Sequence, residues 1–352
     1  MTCRSESSVA GYLLASAIVQ WQAQHGRHDL PWQNTRDPYR VWLSEIMLQQ
    51  TQVNTVQDYF ARFLLEFPDV GSLADASLDE VLGLWAGLGY YSRARNLHRC
   101  AQQVMSQHAG VFPVSAAQLQ TLPGIGRSTA AAIASLCFGE RVAILDGNVK
   151  RVLTRYLGFD ADLAQTANER RLWDKATDLL PTDDLTIQMV AYTQGMMDLG
   201  ATLCTSKKPA CEVCPLHPQC QAAAFGRPEK YPVKTRSLNR SVQLIWLLWA
   251  NNVDGAVWLS QRPTPGVWAG LYSFAQFADR SSLQAVLPAG QHDCLHNLPV
   301  FKHVLTHKDL YLHPVRVVLP NSCKPDIEGA WVDRSRWQHI GLPAPIKKML
   351  ID

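Results

Sequence analysis

The sequence has no run of apolar residues long enough to cross a membrane, since a bilayer-spanning helix needs about 18 of them. It also has little net charge, only +3 over 352 residues, and it contains no internal repeat or low-complexity segment. With 47% hydrophobic and 18% charged residues, the composition is typical of a folded globular protein. This charge permits a polyanionic partner but does not require one, so any partner has to be inferred from motifs.

The amino terminus contains a pattern that partly matches a signal peptide. The apolar segment VAGYLL follows Arg4 and precedes the small residues at positions 15–17. However, the segment is short, Glu6 lies where a signal peptide is positively charged, and apolar residues continue at helical spacing as far as Trp21. We therefore expect a first helix rather than a cleaved signal, and a cytoplasmic protein associated with the nucleoid.

The nine cysteines do not have the pattern of a disulfide framework, because their number is odd and four of them crowd into residues 204–220. The spacing of these four is C-x6-C-x2-C-x5-C, and they are Cys204, Cys211, Cys214 and Cys220. Four thiolates in so short a window can surround either one tetrahedral zinc ion or a four-iron cluster. A reduced protein with one metal centre is the prediction, and the spacing alone leaves both metals open.

Two sequence patterns divide the chain into a helical part and a part that contains strands. Helical periodicity runs from residue 8 to about 200, whereas apolar runs around Asn251 and Gly255 and alternation over residues 300–319 indicate strands. Between them, residues 226–240 are polar, basic and contain two prolines, as in a linker. We predict a helical domain over residues 1–225 and an α+β domain over 241–352.

The segment LPGIGRSTA, residues 122–130, predicts a tight hairpin that opens into a helix. Gly124 and Gly126 allow the backbone to approach a ligand closely, and the helix start supplies unpaired N–H groups that favour phosphate. Soon afterwards Asp146 precedes another helix, with Asn148 and Lys150 in its first turns. A glycine pattern of this kind is by itself a weak indication of phosphate binding.

Several motifs in a fixed order resemble the helix-hairpin-helix DNA glycosylases, and most closely the adenine glycosylases of the MutY family. They extend from about residue 10 to 275 and are LPW, PYRVWLSEIMLQQTQV, LWAGLGYYSRARNLH, LPGIGRSTA, ILDGNVKRVL and MMDLGA. The resemblance implies a mainly α helix-hairpin-helix glycosylase domain followed by an α+β Nudix-like domain. It also implies that the four cysteines hold a [4Fe-4S] cluster rather than zinc.

The resemblance implies a substrate, namely adenine mispaired with 8-oxoguanine or guanine in double-stranded DNA, which is flipped out of the helix for excision. It assigns the general acid for adenine N7 to Glu45 and the carboxylate for the cationic sugar to Asp146. The residues are consistent with this, because Glu45 lies on an apolar helix where desolvation raises a carboxyl pKa. A surface acid and a simple helix cap are the alternatives.

The same resemblance implies further DNA contacts, for which core packing or an ordinary solvated turn is the alternative. The wedge beside the lesion is assigned to Gln50 and Tyr90, with Leu48, Thr51 and Leu88 nearby. The adenine pocket is assigned to Trp32, Val53 and Gln194. The phosphate contacts comprise Gly124, Gly126, Ser128, Asn148, Lys150, and the basic loop residues Lys207 and Lys208 between two cysteines.

Position 128 predicts the type of reaction. Related glycosylases that also cut the strand have a lysine in the frame LPGVGRKTA, and its amine forms a Schiff base with the sugar. Here the residue is Ser128, whose hydroxyl cannot form an imine. We therefore expect a monofunctional enzyme, in which Ser128 bonds Asp146 or the flipped nucleotide and Lys150 contributes only weak secondary lyase chemistry.

The stretch QRPTPGVWAGLYSFAQF resembles the Nudix-like domain of the same family, which helps to recognise 8-oxoguanine. After Gln276 the chain lacks the glutamate cluster with which a working Nudix site holds Mg²⁺, so pyrophosphohydrolase activity is not expected. The family's F-S-H motif is here Leu305, Thr306 and His307, which predicts that Thr306 and His307 contact DNA. A buried strand with an incidental threonine is the alternative.

Three hypotheses follow from the sequence. They are a mismatch-specific adenine glycosylase, a glycosylase and lyase for oxidised pyrimidines, and a cluster-bearing DNA-binding protein without activity. Ser128 and the second domain argue against the lyase, and Glu45 would be unnecessary in a binding protein. We expect a monomer that acts on duplex DNA and has no membrane partner.

Overall fold

The protein, represented by a computed structural model, is described over residues 6–182, 185–235 and 239–351. Its chain clusters into two compact units. Unit 1 comprises Met1–Ala61, Asp69–Gly71 and Arg99–Arg236, whereas unit 2 comprises Arg62–Pro68, Ser72–His98 and Ser237–Asp352. Among the described residues, no helix is both long and apolar enough to cross a membrane.

Helices make up the chain from residue 6 to residue 224. They are α1 (Glu6–His25), α2 (Pro38–Leu48), α3 (Val53–Glu66), α4 (Val70–Asp75), α5 (Leu78–Trp85), α6 (Ser92–His108), α7 (Ala116–Leu119), α8 (Arg127–Phe138), α9 (Gly147–Tyr156), α10 (Thr166–Asp178), α11 (Leu185–Thr202) and α12 (Gln221–Ala224). The helical character predicted from residue 8 to about 200 is confirmed by these helices.

The core of unit 1 forms where α1 packs against α11, and α11 in turn packs against α8 and α9. Leu14 and Ile18 of α1 are fully buried beside Met189 and Tyr192 of α11. Each such aliphatic side chain contributes about 1.5–3 kcal/mol when it leaves water. This packing fixes the amino ends of α8 and α9 close to one another and to α2, which also packs on α8.

The sheet of unit 2 has eight strands. They are β1 (Ser241–Asn252), β2 (Val257–Gln261), β3 (Tyr272–Ser273), β4 (Ala275–Phe277), β5 (His296–Asn297), β6 (Phe301–Val304), β7 (Lys308–Leu319) and β8 (Ala330–Val332). The long strands β1 and β7 run parallel, with Ser241 opposite Lys308. Strand β2 is antiparallel to β1, with Asn251 opposite Val257, so the predicted hairpin is confirmed.

Short helices complete unit 2, namely α13 (Arg280–Ala285), α14 (Arg334–Trp337) and α15 (Ala344–Ile351). The buried face of the sheet contains Leu248 and Ala250 of β1 with Val315 and Val317 of β7, against which Leu283 of α13 packs. The predicted division at residues 225 and 241 stays a prediction, and residues 236–238 of the predicted linker lie outside the described residues.

Candidate active site

A cavity of about 680 Å³ in unit 1 is lined by residues from α2, α8, α9 and α11. Ten of the residues that the sequence predicts for the site line it together. They are Trp32, Glu45, Leu48, Gln50, Thr51, Val53, Ser128, Asp146, Asn148 and Gln194. Its volume lies in the range of small-molecule sites, and the ten residues derive from segments as far apart as positions 32 and 194. We call this the catalytic cavity.

Glu45 lies on α2, which begins with Pro38 because Asp37 caps it by accepting a hydrogen bond from the Tyr39 amide at 3.0 Å. The neighbours Trp42, Ser44 and Ile46 are buried, so the helix is apolar around this carboxyl group. Burial, together with the negative charge of Asp146, raises the pKa of Glu45 to about 7. The carboxyl group is therefore partly protonated near neutral pH, and its assignment as the proton donor stays a prediction.

Asp146 caps α9, since its Oδ1 accepts a hydrogen bond from the Val149 amide at 2.8 Å. Its backbone is extended, and its side chain lines the catalytic cavity. The predicted role of Asp146 as an N-cap is confirmed, and the cap does not prevent it from facing the cavity.

Ser128 occupies the first turn of α8 and also lines the cavity. Its Oγ accepts a hydrogen bond from the backbone amide of Leu145 at 3.0 Å. The sequence predicts a bond from Ser128 to Asp146 or to the nucleotide, whereas the observed partner is the backbone amide of Leu145, the residue before Asp146. This bond ties the first turn of α8 to the segment that leads into Asp146.

Asp198 is a residue of this site that the sequence did not predict. It is fully buried on α11, and its carboxylate accepts hydrogen bonds from Arg27 Nε at 2.7 Å and from the Arg27 amide at 3.1 Å. It also accepts Nε2 of Gln194 at 3.0 Å and, more weakly, Nε2 of Gln33 at 3.4 Å. An aspartate on an otherwise apolar helix was the available signal, because a buried carboxylate requires a partner.

The residues of α9 that follow Asp146 separate into two groups. Asn148 and Arg151 line the cavity, and Arg151 Nη2 donates to Asn148 Oδ1 at 2.9 Å. Lys150 instead forms an ion pair with Glu169 of α10. The amine proposed for secondary lyase chemistry is therefore neutralised by a carboxylate in this conformation.

The predicted hairpin is present between α7 and α8. Gly124 has a φ of +77°, in the left-handed region that glycine adopts without strain. Gly126 is the N-cap of α8 and has no side chain to bond the first amides of that helix. These amides are thus available to an external acceptor such as phosphate.

Three of the predicted DNA contacts share an uncommon backbone. Gln50, Tyr90 and Lys208 are non-glycine residues with φ values of +57°, +46° and +50°. Such conformations cost about 1–2 kcal/mol for L-residues and concentrate at functional sites. Lys207 and Lys208 are both exposed, and Thr205 Oγ1 donates to the Lys207 carbonyl at 2.9 Å within the same loop.

Unit 2 has its own cavity, of about 740 Å³. Tyr90, Thr306 and His307 line it together, and the hydroxyl groups of Tyr90 and Thr306 share a hydrogen bond of 2.5 Å. Tyr90, a predicted wedge residue, is 43% exposed, whereas Leu88, which was predicted to lie near the wedge, is only 6% exposed. Trp268, with a φ of +59°, adds an apolar wall.

The four clustered cysteines line one small cavity in unit 1. Arg155, which is 2% exposed, donates from Nη1 to Cys204 Sγ at 3.3 Å and to the Thr205 carbonyl at 2.7 Å. Its Nε donates to the Pro228 carbonyl at 2.8 Å. Over the part of the chain that the structure describes, no three Cys, His, Asp or Glu side chains are placed to hold a single metal ion.

Two family models match the chain, one in its helical part and the other in the part that forms the sheet. Residues 43–177 match the HhH-GPD superfamily of base excision DNA repair proteins. Residues 245–352 match the NUDIX domain. A match to the second family covers the sheet of unit 2 and concerns its fold.

Individual proteins give a finer comparison. The chain is 37% identical over 345 residues to the adenine DNA glycosylase of Buchnera aphidicola subsp. Acyrthosiphon pisum, covering 96% of this chain and 97% of the relative. It is similar to the structure of a thermostable thymine-DNA glycosylase, with a TM-score of 0.55, 27% identity, and 63% of this chain and all of the other covered. A non-covalent complex of endonuclease III with DNA shares the fold, with a TM-score of 0.51, 20% identity, and 63% and 99% covered.

Proposed function

The chain belongs to the adenine DNA glycosylase family, within the HhH-GPD superfamily of base excision repair proteins, and we propose that it excises adenine opposite 8-oxoguanine or guanine. In this proposal it binds duplex DNA, flips the mispaired adenine into the catalytic cavity and hydrolyses the N-glycosidic bond. It leaves an abasic site in an intact strand. The observation that carries the proposal is the pairing of Glu45 and Asp146 in one cavity.

The chemistry needs a proton donor and an anion, and we assign these two roles to Glu45 and Asp146. Glu45, with a pKa of about 7, donates its proton to adenine N7, which makes the base a better leaving group. The bond between the sugar C1′ and adenine N9 breaks, and the electron pair remains with the base. The carboxylate of Asp146 stabilises the resulting oxocarbenium ion.

Water completes the reaction. Its oxygen bonds to C1′ of the sugar, and the proton that it loses returns to the Glu45 carboxylate, which is thereby regenerated. No amine is consumed and no strand is cut. The hydroxyl of Ser128, at the position of the lysine in related lyases, and the ion pair between Lys150 and Glu169 support this monofunctional course.

The base pocket is formed by aromatic and amide side chains. Trp32 is buried and contacts Phe60 edge to face, with ring centroids 5.3 Å apart, which supplies a rigid apolar wall for a flat base. The amide of Gln194 is held by Asp198 and offers its oxygen to the exocyclic amine of adenine. This fixed amide supports recognition of adenine in preference to guanine, which has no amino group at that position.

Recognition of the opposite base is assigned to the cavity in unit 2. Tyr90 supplies a flat ring that can stack on or beside an unpaired base, and Thr306 and His307 supply polar groups at the same cavity. 8-Oxoguanine differs from guanine by an N7–H donor and an O8 acceptor. A hydroxyl such as that of Thr306 can satisfy either group.

We further propose that Cys204, Cys211, Cys214 and Cys220 hold a [4Fe-4S] cluster. The cavity that these four cysteines share, and their spacing of C-x6-C-x2-C-x5-C, support this proposal. When bound, the cluster clips the loop that presents Lys207 and Lys208 to the DNA backbone.

The test is to incubate the protein with duplexes that contain 8-oxoguanine opposite adenine, and to compare strand breakage with and without alkali. Breakage only after alkali is expected, because an abasic site is labile to base. Glu45→Gln and Asp146→Asn are expected to abolish it in single turnover. Breakage without alkali, or near wild-type excision by either variant, would contradict the proposal, and a duplex with 8-oxoguanine opposite cytosine is the control substrate.

A further inference from the structure

A second cavity of about 380 Å³ adjoins the catalytic cavity in unit 1. The two have common walls formed by Arg27, Trp32, Gln33, Val41, Leu136 and Gln194. Glu45, Ser128 and Asp146 line only the catalytic cavity. The second cavity is therefore separated from the reacting groups by the shared residues, and we call it the rear cavity.

Three polar side chains form the hydrophilic part of this partition. Arg27, Gln33 and Gln194 all donate to the buried carboxylate of Asp198, so a single anion positions them. The bond from Gln33 is long, at 3.4 Å, and Gln33 Oε1 is buried with no hydrogen-bond partner among the described residues. Such an atom is costly unless an N–H donor reaches it, and adenine supplies several.

The far side of the rear cavity leads to the protein surface. Its lining there includes His28, Asn34 and Arg36, which are exposed. Imidazole and amide groups can donate to the ring nitrogens of a purine or accept from its amine, and a guanidinium group can donate to the ring nitrogens. The cavity thus combines a polar outlet with an aromatic wall, Trp32, in a volume suited to a small planar molecule.

We propose that the rear cavity takes the free adenine after excision and releases it to solvent while the abasic DNA is still bound. This inference rests on the proposed function, in which DNA covers the catalytic cavity during the reaction. Under that condition the free base has no path on the DNA side. Rotation of the Gln33 side chain, whose bond to Asp198 is the long one, opens the partition, and rotamer changes of this kind are fast compared with catalysis.

Ala191 allows the path to be blocked. It lines the rear cavity from α11, is half-buried, and does not line the catalytic cavity. Ala191→Trp fills the cavity, and Ala191→Met is a milder filler in case the larger residue prevents folding. Ala23→Trp and Ala23→Met, at an exposed site on α1, are the matched controls.

The experiment uses excess protein and a duplex with radiolabelled adenine opposite 8-oxoguanine. One set of samples is quenched with alkali to count abasic sites, and a parallel set is passed through a filter that retains protein and DNA. In the wild type, free adenine is expected to pass the filter as fast as abasic sites form, with the abasic DNA retained. In the Ala191 variants, abasic sites form at the wild-type rate but free adenine follows at least about tenfold more slowly.

The reverse path provides a second readout. A complex with a duplex that carries a tetrahydrofuran abasic analogue is expected to bind added adenine without losing DNA, and Ala191→Trp slows this association. The proposal is overturned if adenine leaves the Ala191 variants in step with excision, or if the wild type retains adenine until DNA dissociates. Failure of the proposed function is a different result, since no abasic sites would form in any variant.

Discussion

Tyr90 and Thr306 are 216 positions apart in sequence, yet their hydroxyl oxygens lie 2.5 Å from each other in unit 2. Tyr90 has a left-handed backbone, and Thr306 lies in the turn between β6 and β7. Arg240 steadies that turn by donating to the Leu305 carbonyl at 2.9 Å. The predicted wedge and the predicted reader of the damaged base are thus linked by a hydrogen bond.

Breaking this link should reduce discrimination. Thr306→Val is expected to lower the preference for 8-oxoguanine opposite adenine, relative to guanine opposite adenine, by about fivefold, the equivalent of one hydrogen bond. Thr306→Ser retains the hydroxyl and serves as the control. Tyr90→Phe should have a similar effect, and the double variant should be no worse than either single one. Additive losses would show that the two hydroxyl groups act separately.

The rate of excision should depend on pH through Glu45. Its pKa is raised to about 7, and catalysis needs the protonated form. The single-turnover rate should therefore be highest below pH 7 and fall by about tenfold per pH unit well above it. A rate measured from pH 6 to pH 9 with 8-oxoguanine opposite adenine tests this, and a flat profile would exclude Glu45 as the general acid.

The same carboxyl group should make the protein less stable at high pH. Because its pKa in the folded state is above the ordinary value of 4.5, the folded protein binds the proton more tightly than the unfolded chain does. Stability is consequently lost as pH rises from about 4.5 to about 7, by at most about 3 kcal/mol. Glu45→Gln should raise the Tm at pH 8 but hardly at pH 4.5. An equal Tm difference at both pH values would contradict the assigned burial.

Asp198 should act by positioning rather than by chemistry. Asp198→Asn leaves Arg27 without its buried counter-charge, and removing one partner of such a pair costs about 3–5 kcal/mol. If the variant folds, we expect weaker discrimination between adenine and guanine at the flipped position, because Gln194 loses its orientation. The pH profile set by Glu45 should remain. Asp174→Asn, at an exposed site on α10, is the control for a general effect of the substitution.

Arg155 should determine whether the cysteine loop keeps its cluster. Arg155→Met removes donors to Cys204 Sγ and to the carbonyls of Thr205 and Pro228. We expect lower iron content per chain and weaker absorbance near 400 nm in the purified variant. Arg170→Met, at an exposed position, should leave both unchanged. Full iron content in Arg155→Met would show that the cysteines alone suffice.

Local signals in the sequence predicted much of the fold. The start of α8 followed from the glycines at positions 124 and 126, and its end at Gly139, which has the left-handed backbone of a helix C-cap with a φ of +69°, was found only in the structure. The β1–β2 hairpin followed from the turn residues between two apolar runs. The convergence of Glu45 and Asp146, in contrast, followed only from the resemblance to a family, because no local pattern relates them.

Long-range polar contacts could not be predicted from the sequence. The bond of Asp198 to Arg27 spans 171 positions, and neither residue carries a pattern that names the other. The partner of Ser128 was likewise missed, since the Leu145 amide becomes a neighbour only when α8 and α9 pack. Association of residues 72–98 with the carboxyl-terminal residues in unit 2 is also a result of tertiary packing.

The left-handed backbone at Gln50 and Tyr90 places strain at two positions whose side chains are exposed. Glycine would adopt either conformation without strain, whereas any larger residue costs about 1–2 kcal/mol there. Glutamine and tyrosine at these two positions therefore make the fold less stable than glycine would, and the DNA contacts proposed for their side chains account for that strain.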